Sequence, residues 1–138
     1  MSNKGDWAWV LAQFGLFALI AATWVIGPPV SQLGIVPALL GAALALWASR
    51  TMRRSLTPFP TPRPDGRLVR EGPFRRLRHP IYAGGILVFG GFSLAFSAWG
   101  LLLTGLLAVL WFFKSRHEEA LLLERFPEYA GYRRETWF

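Results

Sequence analysis

The chain has 138 residues, enough for one domain, of which 53% are hydrophobic and only 17% charged, with a net charge of +7 and no cysteine. Soluble domains average about 45–50% apolar and about 25% charged residues, so the balance is shifted toward a membrane protein. The missing cysteine excludes disulfides, thiolate metal sites, a cysteine nucleophile and a lipidated cysteine anchor. The excess of positive charge flanks apolar blocks, which points to anionic lipid headgroups and topology rather than to nucleic acid.

No Lys, Arg, Asp or Glu occurs between Trp7 and Ser49, or between Pro80 and Phe113. A membrane span needs about 20 mainly apolar residues to cross roughly 30 Å of hydrocarbon. Each block therefore has room for two spans. The first runs from Trp7 to Ile26, with Trp at its ends and Gln13 as its strong polar interruption. It is too long for the apolar part of an ordinary signal peptide. Pro28 and Pro29 end it, because neither has an amide proton to donate. The second span covers about 32–49, where small residues at Gly34, Ala38, Ala42 and at Gly41, Ala45 suit close helix packing.

From Arg50 to His79 the composition changes to nine Arg against two acids, with prolines at 58, 60, 62 and 64. This segment is expected to be extended, turning at Asp65-Gly66 and again at Gly72-Pro73. The second charge-free block then holds 34 residues, too long for one span, and reads as a hairpin turning at Ser97-Ala98-Trp99-Gly100. Gly84, Gly91 and Ala95 line the first leg for close approach to a neighbour or ligand. Beyond Phe113 the helix should leave the membrane and run to Pro127, which restarts a short helix in PEYAGYRRE. One Lys at the N-terminus, nine Arg in the linker and five basic residues in the tail face two short connections with none. The positive-inside rule puts the termini and the linker in the cytoplasm. The expected fold is an all-α polytopic membrane protein and a single domain over 1–138. Its spans lie at about 7–27, 32–49, 80–97 and 99–116, with a cytoplasmic linker at 50–79 and a cytoplasmic helical tail at 117–138.

The hairpin makes a geometric prediction. With the turn near Ala98, His79 lies 19 residues before it, and His117 and Glu118 lie 19 and 20 after it. Two equal helical legs return to one height, roughly 28 Å from the turn. Arg78, His79, Tyr82, Arg116, His117, Glu118 and Glu119 then form one polar cluster at the cytoplasmic membrane surface. Such a cluster suits a charged, water-soluble cofactor, with a cleft between helices for a lipophilic partner.

Plainer roles compete for the same residues. His79 before Pro80 suits a helix cap, and Arg75, Arg76 and Arg78 suit the membrane edge. Glu118 and Glu119 suit a solvated helix face paired with Lys114 and Arg116. Trp111, Phe112 and Phe113 suit an interfacial belt. Tyr129, Tyr132, Arg133 and Arg134 suit either a binding role or seating of the tail on headgroups. No metal site is expected, because the two His and two Glu lack a metal-ligand spacing. Nucleophile-elbow, zinc-protease, phosphate-loop and dinucleotide motifs do not occur.

The run Gly72-Pro73-Phe74-Arg75-Arg76-Leu77-Arg78-His79-Pro80-Ile81-Tyr82-Ala83-Gly84, a membrane hairpin, Glu118-Glu119, then Phe126, Glu128-Tyr129 and Tyr132-Arg133 follow in order. This pattern resembles the isoprenylcysteine carboxyl methyltransferase family and its phospholipid methyltransferase relatives, over about Leu68 to Arg134. The resemblance implies a membrane-embedded methyltransferase using S-adenosyl-L-methionine at the cytoplasmic surface, with a small lipophilic or lipid acceptor arriving from the bilayer. It implies that His79, Pro80 and Tyr82 line the cofactor pocket, with Gly84 allowing close backbone approach. Glu118 and Glu119 would hold the cofactor's hydroxyls or ammonium, and Arg78 or Arg116 its carboxylate. His79 and Glu119 are the expected catalytic residues, and Tyr129, Tyr132 and Arg133 the expected acceptor contacts. A carboxylate or thiolate acceptor needs no base, whereas an amine or hydroxyl needs one. Larger protein-methylating members carry extra N-terminal spans not seen here, which points away from a prenylated protein. Two further readings stand beside this one: a sterol-reductase-like enzyme using NADPH, and a non-catalytic membrane scaffold.

Overall fold

Prolines and one serine set the ends of the long helices. The computed structural model describes residues 4–138, in which five α-helices follow one another: α1 Lys4–Ile26, α2 Ile35–Met52, α3 Pro80–Phe96, α4 Ala98–Arg125 and α5 Tyr129–Glu135. α1 stops just before Gly27 and the two prolines, and α3 starts with Pro80 in its first turn. Ser97 serves both legs of the hairpin: its amide closes α3 on Ser93 O at 2.7 Å, and its hydroxyl accepts from Gly100 N to cap α4. The corner is thus a single residue rather than the four-residue turn the sequence suggests. Both short connections meet at this end, where Val30 N and Ser31 N donate to Leu94 O and Ala98 N donates to Pro28 O.

α2 lies along α3 with almost no side chain between them. A Cβ on Gly84 would sit 2.6 Å from Gly41 O, and one on Gly91 would sit 2.5 Å from Gly34 O. Gly34, Ala38, Gly41 and Ala45 of the expected small-residue series meet Gly84, Gly91 and Ala95 at this seam, while Ala42 is exposed. α1 packs instead on α4 and α3, around Ile20, Leu107 and Trp111. A second, smaller core of Ala48, Val69 and Phe74 fastens the linker to the end of α2.

The outer surface is apolar, with Leu11, Val25, Leu33, Leu40 and Leu102 exposed. Only lipid makes such a surface favourable. Three stretches, Lys4–Ile26, Gln32–Ser55 and Ala98–Arg125, are long and apolar enough to cross a membrane. α3 has 17 residues, about 26 Å, at the short end of the spanning range. α4 has 28, about 42 Å, so its last turns, from about His117, stand beyond the hydrocarbon.

All the charged segments gather at one end of the bundle. The start of α1 touches the linker through Thr61 donating to Asp6 and through Trp7 edge-on to Phe59 at 5.0 Å. The linker is extended apart from short 3-10 turns at Arg53–Ser55 and Gly72–Arg75 and a turn closed by Gly66 N on Arg63 O. The tail folds back on it: Trp137 pairs with Leu77 in an isolated parallel bridge.

Candidate functional site

His79 precedes Pro80, so it cannot continue a helix on its N-terminal side, and its backbone is non-helical. Its side chain does not cap α3. The imidazole instead turns toward α4, with Nε2 3.1 Å from Glu119 Oε1 and Nδ1 3.8 Å from Glu118 Oε2. Arg78 takes the same carboxylate from the other side, with Nε donating to Glu119 Oε1 at 2.9 Å. Its Nη1 donates to the carbonyls of Arg133 and Thr136 at the end of α5. Glu119 Oε2 lies 3.3 Å from Arg133 Nε but without hydrogen-bond geometry. One buried carboxylate thus joins the start of α3, the last turns of α4 and the tail. Burial works to raise the Glu119 carboxyl, but the hydrogen bond from His79 and the field of Arg78 outweigh it and lower it to about 2.

Glu118 points another way, as adjacent residues on a helix diverge by about 100°. It accepts from the Tyr82 hydroxyl, one turn into α3. Burial pushes its carboxyl up from the ordinary range, opposed by His79 and by the Tyr82 hydrogen bond. The two glutamates are therefore unlike: Glu119 is held as an anion, and burial pushes Glu118 toward its protonated form.

A cavity of about 580 Å³ opens beside Glu118. Arg78, His79, Tyr82, Glu118, Tyr129 and Tyr132 line its polar end, and Phe14, Phe17, Ala45, Gly85, Phe89 and Trp111 its membrane end. The proline-rich segment from Leu56 to Pro60 forms part of its wall. The Tyr129 hydroxyl is buried at this wall without a hydrogen-bond partner among the described residues. Burial raises its phenol well above the ordinary value, so it stays a neutral donor.

Most of the residues expected from the sequence meet here. Arg78, His79, Pro80, Tyr82 and Glu118 line the cavity, as do Tyr129 and Tyr132. Tyr132 also donates to the carbonyls of Phe74 and Leu77, which fastens the tail to the linker. Glu119 and Arg133 stand behind the wall. Gly84 faces α2, and it is the next residue, Gly85, that faces the cavity and Trp111. Arg116 is exposed over the Phe112 ring, and His117 is exposed with its ring 6.2 Å from Trp9. Neither glutamate pairs with Lys114 or Arg116 at ion-pair distance.

Other lining residues are less legible in the sequence. Trp111 is buried, stacked on Tyr82 at 4.9 Å, while Phe112 and Phe113 alone remain exposed like belt residues. Lys114 is buried at the wall, where Nζ donates to Gln13 Oε1 at 2.8 Å and to Pro58 O at 2.6 Å. The Trp111 indole donates to the same Gln13 oxygen. Gln13, the lone strong polar residue of α1 between Trp7 and Ile26, was the available signal: a polar group within the bilayer needs a partner.

The phospholipid methyltransferase family model matches residues 30–129, from the connection before α2 to the start of α5. No curated protein and no solved structure matches the chain. The matched stretch includes His79, Tyr82, Glu118 and Glu119 and covers well over half of the sequence. With its lipid-facing helices, the chain is a membrane protein belonging to the phospholipid methyltransferase family.

Proposed function

We propose that the chain transfers a methyl group from S-adenosylmethionine to a small lipophilic acceptor at the cytoplasmic surface of the membrane. The observation that carries this reading is the continuity of one cavity from Glu118, His79 and Tyr82 to Phe14, Phe17 and Phe89. A charged donor and an apolar acceptor can meet only where water-facing and lipid-facing walls join. The asymmetry of basic residues supports the cytoplasmic side.

The residues present fit the donor. The cavity volume, about 580 Å³, lies within the roughly 300–1,000 Å³ of small-molecule pockets. Glu118 would accept from the donor's ammonium or hydroxyls, and the unpartnered Tyr129 hydroxyl would donate to its carboxylate. Aromatic walls at Tyr82 and Trp111 favour a cation beside them. Bound there, S-adenosylmethionine supplies a methyl group on a cationic sulfonium already activated for in-line displacement.

The chain's own residues then orient and exclude water. Arg78, His79 and Arg133 hold Glu119, which fixes the α3–α4 spacing and so the aim of Glu118 and Tyr82. Both ring nitrogens of His79 face carboxylates, so His79 positions rather than takes a proton from the acceptor. An anionic acceptor needs no base. For an amine or hydroxyl, Glu118 is the carboxylate at the wall placed to take the proton. The acceptor would enter from the lipid between the Phe14–Phe17 face of α1 and the Ala45 face of α2.

Equilibrium binding of labelled S-adenosylmethionine and of NADPH to the purified protein tests this. S-adenosylmethionine is expected to bind, NADPH not to compete, and Glu118→Gln to weaken binding about tenfold or more, the scale of one charge-assisted hydrogen bond. Preferential binding of NADPH would assign a reductase, and no binding of either would assign a scaffold.

A further inference from the structure

Where α2 ends, a second cleft of about 490 Å³ is lined by Arg50, Thr51, Arg53, Arg67, Glu71 and Gly72. It is separate from the methyl-transfer cavity, with which it shares only Arg67. Three guanidinium groups face one carboxylate, and that carboxylate is already taken, with Arg67 Nη1 2.7 Å from Glu71 Oε1. The side chains of Arg50 and Arg53 make no hydrogen bond or ion pair among the described residues.

The backbone is bent to build this arrangement. Arg53 is the one non-glycine residue with positive φ among the described residues, at φ 48°. Positive φ suits glycine, and a side chain held there stores strain, which clusters at functional sites. Two hydrogen bonds hold Arg67 in place: the Ser55 hydroxyl accepts from Arg67 N and donates to Arg67 O. They bring Arg67 back across 12 residues to stand beside the end of α2.

Height identifies the ligand. Trp47, half exposed, sits one turn before Arg50, at the level where indole rings meet lipid headgroups. A group reached from there by two free arginines is an anion with several acceptor oxygens. We propose that this cleft is a phosphate-binding site, filled by the headgroup of an anionic lipid and held by Arg50 and Arg53.

Native mass spectrometry of the full chain in detergent reads this directly, with phosphatidylglycerol, phosphatidylcholine and inorganic phosphate as probes. Wild type is expected to retain phosphatidylglycerol over phosphatidylcholine. The pair R50Q/R53Q should lose at least about tenfold in that retention, given about fivefold per arginine near an anionic surface. The pair R75Q/R76Q removes the same charge from exposed arginines outside the cleft and should retain the lipid. R53G relieves the strained backbone while removing the guanidinium, so it should fold at least as well as wild type yet bind less. Displacement by inorganic phosphate would support the same phosphate chemistry with a free ion as its source. Equal losses in the two arginine pairs, or unchanged retention in R50Q/R53Q and R53G, would overturn the site.

Discussion

Arg78 and Glu119, 41 residues apart in sequence, meet at 2.9 Å between Nε and Oε1 with both side chains largely out of solvent. The same guanidinium holds two carbonyls at the end of α5, so one side chain joins the hairpin to the tail. Removing one partner of a buried pair leaves the other charge uncompensated, which typically costs about 3–5 kcal/mol. Arg78→Ala should therefore lower the melting temperature sharply in detergent and release the tail to protease. Arg78→Lys keeps the charge but loses the fork, and should fall between the two.

The glutamates should separate by pH. Glu119 is lowered to about 2 against an ordinary 4.5, so its contribution to stability is complete above about pH 4.5 and is lost as pH falls toward 2. Glu118 is raised by burial, so the ligand-free fold binds its proton more tightly than the unfolded chain. Its ionisation on raising pH through that elevated value costs stability, and a bound cation repays it. Binding of S-adenosylmethionine should consequently strengthen as pH rises above 4.5, and Glu118→Gln should flatten that rise. Isothermal titration across pH reads the slope.

Adjacent glycines should behave differently. Gly84→Ala drives a methyl group to 2.6 Å from the Gly41 carbonyl, so α2 and α3 must part, at a cost of about 1–3 kcal/mol. Gly85→Ala meets the Trp111 ring at 2.6 Å and alters the cavity wall instead. The first should lower thermal stability with ligand affinity kept in the folded fraction. The second should weaken S-adenosylmethionine or acceptor binding more than it lowers the melting point.

Gln13 supports two groups at once. Gln13→Leu removes the oxygen that accepts from Lys114 and from the Trp111 indole, leaving the buried indole unpaired, at about 1–3 kcal/mol, and Lys114 with the Pro58 carbonyl alone. Thermal unfolding should show the loss. Because Lys114 also holds the Pro58 carbonyl, the linker beside the cavity should exchange its amides faster with solvent.

Charge periodicity carried most of this fold. The absence of charge from Pro80 to Phe113 demands a hairpin, and equal legs demand that His79 and Glu118 meet, which they do. Helical phase is harder to read. Gly84 and Gly85 differ by one residue and about 100°, and nothing local says which faces α2 and which faces the cavity. Lys114 reads as a surface charge because its partners, Gln13 and Pro58, lie 101 and 56 residues away. Trp111 reads as a belt residue for the same reason, its indole being satisfied by that distant glutamine. Arg78 or Arg116 is the guanidinium the sequence offers for the cofactor's carboxylate; Arg78 lines the cavity and is also held by Glu119 and by backbone carbonyls that only tertiary folding brings near.

In the proposed function, the two ends of the α3–α4 hairpin form one wall around S-adenosylmethionine. Ultraviolet crosslinking of the tritium-labelled compound to the full chain in bilayers, followed by peptide mapping, tests it most directly. Label is expected on the segment containing His79 and Tyr82 and on the segment containing Glu118, lost on addition of unlabelled S-adenosylmethionine but not of NADPH. Label confined to other segments, or displaced by NADPH, would contradict it.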